Sequence, residues 1–178
     1  MNHGVQRAAS SHPQALRDWE GMVTEGLAIH DRYPASKRNP SNEVECSDHY
    51  SRAMMSYGVF LAACGYEYHG PKARLGFVPR IPPENFRAPF TTAEGWGSFS
   101  QKREDQTQRD SIELKYGRLR LRTLAFGLAE GATPIEAIMV AGARPVAGTL
   151  TVNRGRAEIK LDKELILRAG ETLDITLT

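Results

Sequence analysis

No run of this sequence approaches 18 consecutive apolar residues, so no segment is suited to cross a bilayer as a helix. No block of five or more like charges occurs either. With 23 Lys and Arg against 21 Asp and Glu, the net charge is only +2. That balance argues against nucleic acid or an anionic membrane as partner. The opening MNHGVQRAASSHPQALRDW lacks the apolar stretch of a secretory signal. Cysteine is scarce: Cys46 and Cys64 stand 18 residues apart. On one helix they would lie roughly 27 Å apart along the axis, beyond disulfide reach. Two free thiols and no signal lead to the expectation of a cytoplasmic chain. Internal repeats and low-complexity tracts are also missing. What remains, 178 residues with 40% apolar and 25% charged, is enough for one core and ordinary globular composition.

The composition changes near residue 70. Before it the pattern is helical. Leu16, Trp19, Met22, Val23, Leu27 and Ile29 approximate a 3.6 period, and Pro34 stops that helix. A second helix is predicted from about Glu43 to Cys64. Its apolar stripe is Cys46, Tyr50, Ala53, Met54, Tyr57, Phe60, Leu61 and Cys64, with Gly65 as its terminator. Trp19 and the Tyr57/Phe60 pair stand at core spacing. Residues 70–101 are rich in proline and glycine and read as a long irregular loop, in which Tyr66 and Tyr68 just upstream anchor the chain. QKREDQTQRD then reads as a polar turn.

From Ser111 the alternation is β. Strands are predicted around 112–116 and 119–123, joined by a turn at Gly117, and at about 135–140, 145–152, 156–161, 164–168 and 172–177. Asn153-Arg154-Gly155 and Ala169-Gly170-Glu171 are hairpin loops. The expected fold class is α+β: helices, an irregular loop and a C-terminal antiparallel β module, divided as 1–101 and 102–178.

The densest chemistry lies in RNPSNEVECSDHYSR, residues 38–52. Glu43 and Glu45 are i and i+2 on a helix, so their carboxylates diverge and do not flank one scissile bond. Glu45 and His49 share a face at metal-ligand spacing, but one histidine and one glutamate make half a site. Cys46 sits on the apolar stripe, where a thiol is usually inert. Ser47 and Ser51 lack a nucleophile elbow. No catalytic residue is assigned, and no metal or other cofactor follows. Glu45, His49 and Arg52 form a polar stripe at i, i+4 and i+7, with Glu43 at the helix mouth. Such a stripe grips hydroxyls, or it ties the preceding loop to the helix.

The ordered blocks RNP-x-NE-x-E, DHY-x-R, GY-x-Y-x-GPK, PENFR and GWG-x-F resemble the last part of glycoside hydrolase family 116. That family includes β-glucosidases and the non-lysosomal glucosylceramidase, also called bile acid β-glucosidase. The resemblance implies a retaining β-glycosidase with an (α/α)6 barrel, of which residues 1–101 would be the last helices. Carried over position by position, Glu43 and Arg52 would bind hydroxyls of a glucose moiety. Ser41 stands where that family carries a bulky aromatic, and Ser47 replaces a common glycine. Trp96 in EGWGSF is suited to stack on a sugar ring.

The nucleophile and acid/base of that family belong to segments with no counterpart in residues 1–37. The expectation is therefore a C-terminal portion of a family 116-like enzyme, inactive alone, whose partners are a β-glucoside and the missing part of the barrel. The alternative is a non-catalytic carbohydrate-binding or scaffold protein associating with a separately encoded barrel half.

Overall fold

A computed structural model describes residues 50–178 together with Gly21, Val23, Thr24, Leu27, Ala28 and Asp31. The chain divides into two compact units, Met1–Ala63 and Cys64–Thr178.

In the first unit, Gly21, Val23, Thr24, Leu27 and Ala28 are helical, as their periodicity predicts. Helix α1 spans Tyr50–Cys64. It ends where expected, at Gly65, whose φ of +55° is readily available only to glycine. A Cβ there would meet the Val78 carbonyl oxygen at 2.2 Å. Over residues 56–64, whose side chains are described, the predicted stripe holds only in part. Tyr57 and Phe60 stack on each other at 6.5 Å but are exposed, while Gly58 and Ala62 are buried. Cys64 of the predicted stripe is buried as well, so over residues 56–64 the covered residues are small ones and not the aromatic pair.

The second unit is built from ten strands. They are β1 Glu67–His69, β2 Arg74–Phe77, β3 Asn85–Thr91, β4 Gly95–Glu104, β5 Thr107–Gly127, β6 Ala137–Ala141, β7 Arg144–Val146, β8 Gly148–Asn153, β9 Arg156–Arg168 and β10 Thr172–Leu177. This overturns the expectation of barrel helices followed by an irregular loop. The segment 70–101, predicted as loop, supplies a short 3-10 turn at Gly70–Lys72 and strands β2, β3 and most of β4. His69 caps that turn, its Nδ1 accepting from the Lys72 amide at 3.2 Å.

Strand β5 organises the unit. Residues up to Gly117 pair with β4, and the stretch 108–113 also pairs with β10, giving the order β3-β4-β5-β10-β6-β7. Beyond Gly117 the same strand pairs antiparallel with β9 and parallel with β2, giving β1-β2-β5-β9-β8. The two predicted strands at 112–116 and 119–123 are thus one strand shared by two sheets. Gly117 makes the bend with φ +77°, and a Cβ there would meet the Glu94 carbonyl oxygen at 2.0 Å. A bulge between Leu121 and Thr123 shifts the inward set from Leu119 and Leu121 to Leu124 and Phe126.

The two sheets enclose one core. Phe77 of β2 stacks on Phe99 of β4 at 3.9 Å, and Phe126 of β5 lies 6.0 Å from Phe99. Alternation explains why each strand faces inward as it does. Phe86, Ala88 and Phe90 are buried between exposed Asn85, Arg87, Pro89 and Thr91. Tyr66 and Tyr68 pack against this core, and the Tyr66 hydroxyl donates to the Thr91 carbonyl, in keeping with their anchoring role.

Candidate functional site

The Gly-Trp-Gly sequence at the start of β4 meets β5 at a second bulge, between Trp96 and Gly97. Glycine is required on both sides. A Cβ at Gly95 would come within 2.4 Å of the Tyr116 carbonyl oxygen, and one at Gly97 within 2.1 Å of the Glu113 carbonyl oxygen. The close approach pairs Trp96 directly with Tyr116 across the two strands. Gly97 and its partner Leu114 face the core, so Trp96 and Tyr116 share the outer face. Both rings are exposed, Trp96 by 50% and Tyr116 by 66%.

Polar groups surround the pair. At the turn before β4, Thr92 donates both its amide and its hydroxyl to the Gly95 carbonyl, at 2.8 and 2.9 Å. Glu94 accepts from Arg118 at 2.5 Å; that hydrogen bond holds the Glu94 carboxyl below its ordinary range and Arg118 above its own. Two residue pairs along the sheet, Glu113 receives hydrogen bonds from Lys115 and Ser98, with Arg87 3.9 Å away. The Lys115 hydrogen bond is the main cause of the lowered Glu113 carboxyl. The face therefore offers two exposed aromatic residues on neighbouring strands beside ionised carboxylates, cations and a hydroxyl.

A different polar cluster lies on the inner side of the β4–β5 hairpin. Gln101, Gln108 and Asp110 are buried there. Gln108 Nε2 donates to Asp110 Oδ2 at 2.9 Å and to Gln101 Oε1 at 3.2 Å, and Gln101 Nε2 donates to the Pro83 carbonyl at 2.6 Å. Arg103 donates to Gln108 Oε1 at 3.0 Å and to the Gly127 carbonyl at 2.9 Å. Asp110 Oδ1 has no hydrogen-bond partner. Burial pushes the Asp110 carboxyl up to about 7, against the opposing pull of Gln108 and Arg103. The nearby hairpin tip and the loop 129–134 border a cleft of about 330 Å³, with Asp105, Gln106 and Glu130 among its walls.

Of the residues the sequence singled out, Trp96 is at the exposed aromatic site. Arg52 is a residue of α1. Glu43, Glu45 and His49 lie outside the described residues, as does Cys46. Cys64 is a buried free thiol, pushed up to about 12 by desolvation. Among the described residues no group of three or more His, Cys, Asp or Glu is placed to hold a metal ion, and no helix is long and apolar enough to cross a membrane. Sequence reasoning missed Tyr116. It reads as one more alternating strand residue, and only the bulged register reveals that it stands beside Trp96.

No family model matches this chain, and no curated protein matches it, so neither comparison carries the family 116 resemblance. Solved structures similar to it include glycoside hydrolases. An α-L-rhamnosidase from Dictyoglumus thermophilum aligns with 76% of this chain at 12% identity and a TM-score of 0.38. A second glycoside hydrolase aligns with 76% at 13% identity and a TM-score of 0.37. This chain spans 15% and 21% of those two proteins. The bovine atadenovirus type 4 fibre head aligns with 51% of the chain at 8% identity and a TM-score of 0.25. Scores of this size do not establish a shared fold.

Proposed function

We propose that the Cys64–Thr178 unit is a non-catalytic carbohydrate-binding module that holds a sugar ring against Trp96 and Tyr116. The observation that carries this reading is the exposed pair itself, two aromatic residues at paired positions of neighbouring strands on one face. Aromatic faces bury the apolar C–H face of a pyranose, while its rim hydroxyls need donors and acceptors close by. Ser98, Glu113, Arg87 and Lys115 supply both kinds from nearby positions on β3, β4 and β5. The glycine-dependent bulge adds preorganisation, because little freedom of the backbone is left to lose on binding. Glu43, Glu45, His49 and Arg52 are proposed, from their helical spacing, as a second hydroxyl-gripping set for the same class of ligand. The resemblance to a β-glucosidase family makes β-linked glucosides the first ligands to try.

Trp19 and Trp96 are the two tryptophans of the chain. In a Trp19→Phe background, Trp96 emission reports directly on the site. Titration with cello-, laminari- and xylo-oligosaccharides, with calorimetry in parallel, should show saturable binding. Trp96→Ala or Tyr116→Ala should weaken it at least tenfold with the fold intact by circular dichroism. Binding that is undiminished in both variants, or absent for every glycan tried, would sink the proposal.

A further inference from the structure

We propose that the outer edge of β8 is a pairing surface for a second copy of this chain, joining two sheets edge to edge about a two-fold axis. The two sheets present four edges among the described residues: β1, β8, β3 and β7. An open edge is a template for another strand, and proteins blunt it with short strands, prolines and charges. Three of these edges are blunted in that way. β1 and β7 are three residues each, β7 holding Arg144 and Pro145, and β3 holds Arg87 and Pro89. β8 differs. Its six residues, GTLTVN, contain no proline and no charge, and Thr149, Thr151 and Val152 are β-branched.

The hairpin closing β8 decides which groups face outward. Asn153 pairs with Arg156 across a two-residue loop, Arg154 at φ 49° and Gly155 at φ 72°, the signature of a type I′ turn. Asn153, Thr151 and Thr149 therefore spend their amides and carbonyls on β9, and those of Leu150 and Val152 point away from it. Beyond the β8–β9 ladder, no backbone hydrogen bond among the described residues reaches either one.

This edge is complementary to itself. In an antiparallel register centred on Thr151, Leu150 faces Val152 of the partner subunit, and each such pair exchanges both of its backbone hydrogen bonds. Leu150 already packs against the core and Val152 is half-buried, so apolar meets apolar on the inner side. On the outer side exposed Thr151 meets Thr151 of the partner subunit, and Thr149 meets Asn153 of the partner subunit. No like charges are opposed. A neutral, self-matching strand fits a copy of itself better than it discriminates any charged peptide.

Sedimentation velocity of the full chain across a concentration series should show a monomer–dimer equilibrium. Thr151→Lys and Thr151→Glu each place like charges on the two-fold axis and should weaken dimerisation at least tenfold, with unchanged circular dichroism. An equimolar mixture of the two should recover the dimer. Under mild oxidation, Thr151→Cys should form an interchain disulfide that Thr149→Cys does not form, since only position 151 meets itself. The proposal is overturned by a chain that stays monomeric at all concentrations, the result expected if residues 1–49 cover this edge. A dimer indifferent to both charged variants, or a mixture that fails to recover it, overturns it equally.

Discussion

Replacing Asp110 by Asn should remove most of the pH dependence of stability between about pH 4 and pH 7. Asp110 is 1% exposed, with Oδ2 held by Gln108 and Oδ1 without a partner. Desolvation raises its carboxyl from 3.8 to about 7, and the nearby charges, Arg103 and beyond it Glu84, do not reverse this. Within that window the native state keeps a proton that the unfolded chain has released. Stability on this account is greatest below the unfolded value. It falls by a factor of ten in the folding equilibrium per pH unit as pH rises, and levels off above pH 7. Across the window the loss comes to about 4 kcal/mol. Asn has the shape of the protonated acid and does not titrate. Urea unfolding followed by tryptophan emission from pH 4 to 8.5 measures the difference. Asp110→Asn should match the parent near pH 4.5 and exceed it at pH 8. If the two proteins keep parallel stability–pH curves from pH 5 to 7, the buried carboxyl is not protonated in the native state and the reasoning fails. Glu94, Glu104, Glu113 and Glu164 are all lowered by hydrogen bonds from cations, so their contribution is lost only as pH falls below the ordinary carboxylate range.

Gly97→Ala would put a methyl group 2.1 Å from the Glu113 carbonyl oxygen, a backbone clash that no rotamer relieves. A loss of roughly 1–3 kcal/mol of stability is expected, together with weaker glycan binding as the Trp96–Tyr116 register shifts; denaturant midpoints and the same titration check both. Cys64 is buried with its thiol pushed up to about 12, so the native protein should react with a thiol-specific disulfide reagent far more slowly at this residue than in denaturant. Rapid native labelling of Cys64, located by peptide mapping, would contradict its burial.

The sequence was most legible where alternation is clean. Thr172–Leu177 is the strand predicted, and Arg154-Gly155 is the hairpin loop. It was least legible where proline or glycine interrupts a strand for a structural reason. Pro89 lies on the edge strand β3, whose exposed positions tolerate it, and Gly95 and Gly97 are demanded by the close approach of β5. Buried Gln101, Gln108 and Asp110 hide the end of the β4–β5 hairpin by putting polar side chains at inward positions, so QKREDQTQRD looks like a turn. Gly117 was expected to be a turn joining two strands, but a turn that closes a hairpin and a bend that carries one strand from sheet to sheet have the same local signature. Only the pairing partners on either side distinguish them.

The same distinction governs the candidate site. Trp96 is one of two tryptophans and stands between glycines, which makes it conspicuous in EGWGSF. Its partner across the strands is Tyr116, 20 positions later, and nothing local to KYGRL marks that tyrosine as its neighbour. The link is the bulge: Trp96 pairs with Tyr116 but Gly97 pairs with Leu114, so Lys115 is the extra residue. In an unbulged strand of the same sequence the alternation would send Tyr116 to the core side, since Leu114 and Ile112 both face inward. One unpaired residue therefore turns a would-be core tyrosine outward to stand beside a tryptophan. The glycines are what allow it. A Cβ at Gly95, Gly97 or Gly117 would come within 2.4, 2.1 or 2.0 Å of an opposing carbonyl oxygen, so the outward placement of both aromatic residues depends on all three glycines.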